Sequence, residues 1–189
     1  ITRVDAHGVI LFTYPYNQSV IGGDISYQKH VRQVIATHQP VISDVFMSVQ
    51  GYLAIAIHVP VFNKKSFAGS LAILIPIDEL GKLYLGKIKI RGTGNVWLLS
   101  EKGIEIYCPV NGHTGKSFLE ITHNEASALH LLEKIKTESS GTVKSIHQEV
   151  ISKGKPVFNE KYIAFYRTPL GNTYWTILIS YQEKDIYIA

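Results

Sequence analysis

The sequence YLAIAIHVPVFNKKSFAGSLAILIPI, residues 52–77, decides the fold class. Its two apolar runs, Tyr52–Phe62 and Phe67–Ile77, are rich in β-branched and aromatic residues, and a short polar segment with two lysines separates them. This pattern predicts two adjacent antiparallel strands.

The first of these runs has two different faces. Bulky aliphatic side chains alternate with Ala54, Ala56 and His58, so one face carries two small residues and a histidine. Since the small residues leave space, we expect this face to border a cavity.

The segments before the hairpin complete one module. The turn Asp5–Gly8 joins two short strands, and a helix over Tyr27–Thr37, with Asp24 or Ser26 as its N-cap, ends before Pro40. A further strand is predicted over Val41–Val49. A short helix, Asp78–Leu85, follows the hairpin.

The second half of the chain repeats this order of elements. It begins with two predicted strands, Val96–Ser100 and Ile104–Cys108, and a glycine-containing loop. A helix over Glu125–Thr137 follows, with an apolar face of Ala128, Leu129, Leu132 and Ile135. Three more strands are predicted over Thr142–Ile151, Pro156–Tyr166 and Tyr174–Tyr181. The repeat indicates an internal duplication. We therefore predict an α+β fold of two tandem PAS-like modules, each a central antiparallel sheet flanked by helices, with the basic stretch Lys87–Gly94 as boundary: residues 1–86 and 87–189.

The charge pattern argues against nucleic acid as a partner. The net charge is +4 and the isoelectric point about 9.0, but the basic residues are dispersed and form no continuous block. The longest apolar run, Leu71–Ile77, is too short to span a bilayer.

One motif resembles a nucleotide site. Residues 110–117 end like a phosphate-binding P-loop, but Val110 stands where that pattern requires glycine. Phe118–Ile121 also intervenes before the helix that Asn124 is expected to cap. The segment therefore predicts a connection rather than a phosphate site.

The remaining reactive residues predict neither a metal site nor catalysis. The eight histidines are scattered, and Cys108 is the single cysteine, which we expect to be packed in the interior. No nucleophile motif or acid–base pair is recognisable. We therefore expect no metal, no cofactor, no catalytic residues and no enzyme activity in this chain.

Several segments resemble one sensor family. Gly23–Ser26, Gln39–Phe46, His58–Phe62, Phe67–Leu71 and the opening strand pair Val4–Ile10 are similar to the membrane-distal half of double Cache domains, and the second half resembles their membrane-proximal module. These domains are the extracytoplasmic sensors of histidine kinases and chemoreceptors.

The resemblance implies a function and a location. Residues 1–86 would be the distal, ligand-binding module and residues 87–189 the proximal one, at the extracytoplasmic face of the membrane. The parent would be a membrane-spanning receptor, a sensor histidine kinase or alternatively a chemoreceptor, and a homodimer. The family's long N-terminal helix would precede this segment, and Tyr181–Ala189 would pass the signal to a transmembrane helix.

The resemblance also implies a ligand site. The branch that binds amino acids has an arginine, a tryptophan, a tyrosine and an aspartate where this chain has Gln28, His30, Val31 and Leu74, so an α-amino acid held in that manner is not expected. The site residues that we expect, for a small, weakly charged or anionic ligand of unknown identity, are Gln28, His30, Phe46, His58, Ser70 and Leu74.

Two other functions stay open at this point. A closed hollow, filled by Phe46, His58 and Leu74, would favour a structural or protein-binding module of the same fold. A histidine hydrogen-bonded to Cys108 or to a carboxylate in a cleft would favour an enzyme.

Overall fold

The computed structural model describes residues 1–88, 90, 94–150 and 156–182. The chain divides into two compact units, the first comprising Ile1–Glu79 with Pro169–Thr173 and the second the rest. Part of the predicted boundary stretch, residues 89 and 91–93, lies outside the described residues, as do residues 183–189 of the expected signal-passing segment. The boundary at residue 86 and the distal and proximal roles stay predictions.

The first unit consists of one antiparallel sheet, with both short and long strands, and one main helix. Its elements are β1 (Thr2–Val4), β2 (Ile10–Thr13), a 3-10 turn (Gln18–Val20), α1 (Lys29–Thr37), β3 (Val41–Ile42), β4 (Phe46–Met47), β5 (Leu53–Asn63) and β6 (Ser66–Pro76). The strand order is β2-β1-β6-β5-β3, and β4 also pairs with β5. The predicted hairpin of residues 52–77 is confirmed as β5 and β6, which form the centre of this sheet.

The expected strand over Val41–Val49 is wrong, because it is broken into β3 and β4. At the break, the Ser43 hydroxyl accepts a hydrogen bond from the Ala56 backbone N–H at 2.8 Å, and the Asp44 carboxylate accepts one from the Val45 N–H. Short polar side chains that bond to nearby backbone compete with the regular strand ladder. The chain therefore turns between the two short strands.

The interior of the first unit lies between α1 and the sheet. The helix buries Val31 and Val34, as its predicted face requires, and Val31 joins the core with Val4 and Ile10. Strand β1 pairs with β6 beside Gly69, whose φ is +108°. A Cβ atom there would lie 2.1 Å from the Val4 carbonyl oxygen, so glycine permits the close approach of the two strands.

The second unit has the same strand order as the first. Its elements are β7 (Asn95–Ser100), β8 (Glu105–Tyr107), α3 (Phe118–Ile121), α4 (Ala126–Thr137), β9 (Ser140–Val150), β10 (Pro156–Leu170) and β11 (Thr173–Tyr181), while α2 (Ile77–Tyr84) joins the two sets of strands. The order β8-β7-β11-β10-β9 repeats that of the first sheet with β4 left aside, and its pairs are antiparallel. The predicted α+β class with two antiparallel modules is confirmed.

Two expectations for the second unit are corrected. Helix α4 buries Ala128, Leu131 and Ile135, whereas Leu129 is 42% exposed, because the buried face follows steps of three and four residues from Ala128. The segment Phe118–Ile121, expected to be non-helical, forms the single turn α3. This turn is too short to offer a phosphate site, so the expectation of no P-loop rests on Val110 and on the length of α3.

Candidate functional site

The first unit contains a small cavity against its sheet, next to the segment that precedes α1. The cavity has a volume of about 20 Å³, which is room for about one water molecule. Its lining comes from β1, β2, the approach to α1, the β4–β5 turn, β5 and β6, with these residues: Thr2, Val4, Ile10, Ile25, Gln28, Phe46, Ser48, Val49, Gln50, His58, Ala72 and Leu74.

Local backbone bonds hold two of the polar lining residues in place. Gln28 precedes α1, where its N–H donates to the Ile25 carbonyl and its own carbonyl accepts from the Arg32 N–H. Gln50 lies in a tight turn in which the Ser48 N–H donates to the Tyr52 carbonyl at 2.9 Å. Both amide side chains are therefore carried by constrained backbone.

Three aromatic rings stand together beside the cavity. The His30 ring lies 4.3 Å from the Phe46 ring and 5.2 Å from the His58 ring, measured between centroids. The Nδ1 atom of His58 and the hydroxyl of Ser70 are 3.0 Å apart and form a hydrogen bond. Ser70 thus fixes the ring plane of His58 within the sheet.

Both histidines are neutral at physiological pH. Burial lowers the pKa of His58 to about 4. Burial, followed by the proximity of His58, lowers the pKa of His30 to about 3. Removing an imidazolium from water disfavours its charged form, which explains the direction of both shifts.

The structure gathers the six expected site residues around one place. Gln28, Phe46, His58 and Leu74 line the cavity. The other two adjoin it through His58: His30 by ring contact and Ser70 by a hydrogen bond. Their role in binding a ligand stays a prediction.

Gln50 is a candidate that the sequence did not reveal. Its Oε1 atom is buried and has no hydrogen-bond partner among the described residues. The predicted strands Val41–Val49 and Tyr52–Phe62 leave it in the connection between them, but nothing in the sequence indicated that its side chain lies beside a cavity. An unsatisfied acceptor beside a cavity invites a donor from a bound molecule or water.

A second polar cluster lies at the end of β8 in the second unit. One ligand-type atom each from Glu105, Cys108 and His113 lies within 4.8 Å of the other two, and the Cys108 Sγ and His113 Nδ1 atoms are 3.7 Å apart. The expectation that Cys108 is packed inside is confirmed, since it is buried. The scattered spacing of the histidines gave no sign of this grouping.

The Cys108–His113 contact does not have the properties of a catalytic pair. A nucleophilic cysteine requires a lowered pKa so that the thiolate is present. Here burial, together with the neighbouring Glu105, raises the pKa of the Cys108 thiol to about 12. The thiol is therefore protonated and buried, which is the reverse of an activated nucleophile.

Comparison with known proteins gives a consistent picture. Residues 1–76 match a family model described as the HK/GC/Chemotaxis protein-like sensor domain. No curated protein sequence matches the chain.

Within the described residues, no helix combines the length and apolarity needed to cross a membrane.

Solved structures resemble the chain over almost its whole length. An extracellular ligand binding receptor from Desulfohalobium retbaense is 25% identical with a TM-score of 0.72, over 95% of this chain and 29% of its own. The periplasmic sensory domain of the Campylobacter jejuni chemoreceptor Tlp1 is 15% identical with a TM-score of 0.64, over 92% and 63%.

The ligand-binding domain of the Pseudomonas fluorescens chemoreceptor CtaA, in complex with L-serine, is 14% identical with a TM-score of 0.67, over 97% of this chain and 72% of its own. The chain spans less than two thirds of the length of the first two relatives. At identities of 14–15%, the likeness to the two chemoreceptors supports the fold alone. Residues 1–76 match the HK/GC/chemotaxis sensor family, and the chain as a whole has the two-module double Cache fold that such sensor domains share.

Proposed function

We propose that this chain is the extracytoplasmic ligand-sensing domain of a transmembrane signalling receptor, and that the first unit holds the ligand. The observation that carries the proposal is the cavity against the sheet of the first unit, where polar side chains from four separate segments converge on one hollow. Such a convergence in an otherwise apolar pocket is typical of small-molecule sites. The match of residues 1–76 to a sensor family supports the same assignment.

The lining favours a small, uncharged, polar ligand. None of the residues lining the cavity is Asp, Glu, Lys or Arg, and the pKa of His58 is lowered to about 4 by burial. The amides of Gln28 and Gln50 and the hydroxyl of Ser48 offer hydrogen bonds without charge. A ligand carboxylate would lack an arginine fork here, so α-amino acids are not expected.

The ligand must enlarge the cavity when it binds. A volume of about 20 Å³ holds about one water molecule, and a metabolite needs several times more. Binding would therefore select a more open arrangement of the first unit, and this difference between the two arrangements is the signal. The receptor's output, a histidine kinase or a chemoreceptor module, and its homodimeric state belong to the same proposal.

Thermal shift screening tests the proposal directly. A compound at ten times its Kd stabilises the protein by about 1.4 kcal/mol, which raises the Tm by about 6–11 °C in a unit of this size. We expect a small polar compound to do so at millimolar concentration. The shift should fall in the Gln50→Leu variant and persist in Gln39→Leu, which removes an exposed glutamine of the same unit.

The small volume also favours a second candidate, a structural or protein-binding module with a closed hollow. Phe46, His58 and Leu74 all line the cavity, which has a volume of only about 20 Å³. In that case no small molecule changes the Tm. The Gln50→Leu variant would then be more stable than the parent protein, because it replaces an unsatisfied buried acceptor by an apolar group.

The contact between Cys108 and His113 does not support catalysis in this proposal. Residues 1–76 match a family described as a sensor domain, which supports a binding role. The one cysteine has a pKa raised to about 12 by burial. We therefore propose a binding function without a chemical step.

A further inference from the structure

We propose that Glu105, Cys108 and His113 form a zinc-binding site in the second unit. This site is separate from the cavity of the first unit and does not depend on the proposed ligand. Cysteine, histidine and glutamate side chains are all common Zn²⁺ ligands in proteins. A water molecule would complete a four-coordinate ion.

The distances fit a tetrahedral ion after a small contraction. With Zn–S of about 2.3 Å and Zn–N or Zn–O of about 2.0–2.2 Å, neighbouring ligand atoms lie about 3.3–3.7 Å apart. The Cys108 Sγ and His113 Nδ1 atoms are 3.7 Å apart, and His113 Nδ1 and Glu105 Oε2 are 4.0 Å apart. These two pairs would need to close by a few tenths of an ångström at most, and the ligand atoms of the third pair, Glu105 and Cys108, lie within 4.8 Å of each other.

A β-bulge places the first two ligands on the same side. In a regular strand, residues three apart point to opposite faces, so Glu105 and Cys108 would diverge. The register between β7 and β8 shifts, with Leu98 opposite Tyr107 and Leu99 opposite Glu105. The extra residue in β8 changes the alternation, as bulges do, and lets both side chains meet.

The loop that follows β8 folds back and places His113 beside Glu105 and Cys108. Gly112 and Gly115 have φ values of +80° and +85°, which permit the tight path. The loop is closed by hydrogen bonds from the Gly115 N–H to the Glu105 carbonyl at 2.6 Å and from the Glu105 N–H to the Lys116 carbonyl at 2.9 Å. All three ligands lie within nine residues of one closed loop. The loop backbone is therefore already fixed, and binding of the ion would cost little conformational entropy.

Glu105 supplies an independent sign of an absent cation. It is 1% exposed, and its Oε2 atom has no hydrogen-bond partner among the described residues, although the Cys108 thiol lies beside the carboxyl group. Within the part of the chain that the structure describes, its ion pair is with His113 alone, at the limiting distance of 4.0 Å. Buried carboxylates are normally paired or bound to a metal.

The surroundings also suit a thiolate ligand. The Trp97 side chain and the Val110 N–H both donate hydrogen bonds to the Cys108 sulfur, the latter at 3.4 Å. Donors of this kind orient and stabilise a metal-bound thiolate. The sulfur and nitrogen ligands favour Zn²⁺ over Mg²⁺ or Ca²⁺, which prefer oxygen.

The test uses the 189-residue chain without a histidine tag, reduced and freed of metal by a chelator. Zn²⁺ is titrated in competition with a chromophoric chelator, and Co²⁺ is used as a spectroscopic substitute. We expect one equivalent of Zn²⁺, a thiolate-to-cobalt charge-transfer band, and a change in Trp97 emission. A large excess of Mg²⁺ should not displace the ion.

Variants distinguish zinc binding at this site from zinc binding at exposed histidines. Cys108→Ser should abolish the charge-transfer band. Glu105→Gln and His113→Asn should each weaken Zn²⁺ binding by more than the roughly 10–100-fold lost when an outer-shell partner is removed. Glu120→Gln and His123→Asn, outside the cluster in the same unit, should leave affinity unchanged.

Either of two results overturns the proposal: the unmodified chain takes up no stoichiometric Zn²⁺, or Zn²⁺ and the cobalt band persist in Cys108→Ser and His113→Asn. The cobalt band reports sulfur coordination by itself, so the proposal stays testable even if Glu105→Gln folds poorly. The Tm response to small polar compounds is measured in the same variants and should not change. Loss of that response would concern the ligand proposal rather than the zinc site.

Discussion

Lowering the pH from 8 to 5 should destabilise the first unit by about 4 kcal/mol. His30 and His58 are buried as neutral rings, with pKa values lowered to about 3 and about 4, whereas an unfolded histidine has a pKa of about 6.5. Because the folded pKa lies below the unfolded one, this stability is fully present above pH 6.5 and is lost as the pH falls toward the folded values. At pH 5 the loss is about 2 kcal/mol for each ring.

Urea unfolding at pH 8 and pH 5, followed by far-ultraviolet circular dichroism, measures this loss. Both tryptophans, Trp97 and Trp175, lie in the second unit, so their fluorescence follows that unit separately. The double variant His30→Phe, His58→Gln should lose most of the pH dependence, while His7→Gln, which removes an exposed histidine of the same unit, should keep it.

The carboxylate of Asp5 does not obscure this measurement. Hydrogen bonds from backbone N–H groups outweigh desolvation at Asp5 and hold its pKa below the ordinary value of 3.8, so this group stays ionised at pH 5. An NMR titration of the histidine ring protons gives the direct check. A resonance of His30 or His58 that titrates near pH 6.5, or an unchanged pH dependence in the double variant, would refute the reasoning.

Three further predictions concern packing. Gly69→Ala should destabilise the first unit by about 3 kcal/mol or more in urea unfolding, because the added Cβ meets a backbone oxygen of β1 at 2.1 Å and the φ of +108° suits only glycine. Ser70→Ala should cost about 1–3 kcal/mol at pH 8, since the buried Nδ1 of His58 loses its partner; an unchanged midpoint would mean that water replaces the hydroxyl. Leu131→Ala should cost about 2–5 kcal/mol, followed by tryptophan fluorescence, while Leu129→Ala stays within about 0.5 kcal/mol; equal effects would contradict the observed helix face.

Periodicity was sufficient to predict the sheet. The alternation along β5 predicted both the strand and its small face, and His58 on that face does line the cavity. The repeat of elements predicted two modules, and the two sheets have the same strand order. These features could be predicted because the spacing of apolar residues along the sequence indicates which face of a strand or helix is buried.

Features that depend on individual hydrogen bonds were not predictable. The break between β3 and β4 depends on the side chains of Ser43 and Asp44 bonding to nearby backbone, and these residue types also occur within strands. The position of Gln50 follows from that break. The cluster at Glu105 depends on a bulge and on two glycines with positive φ, which bring together residues that a regular strand would separate.

The two units share a backbone arrangement but bury different chemistry. In the first, the polar interior is a neutral histidine pair with amides and hydroxyls, which under the proposed function would select a ligand by shape and hydrogen bonding. In the second, a carboxyl group, a thiol and an imidazole are grouped, and the carboxyl oxygen Oε2 has no hydrogen-bond partner among the described residues, which suits the proposed cation. Since sites without shared partners have additive energies, Gln50→Leu should leave zinc affinity unchanged and Cys108→Ser should leave ligand affinity unchanged. Coupling between the two would show instead that both sites bias one common conformational change.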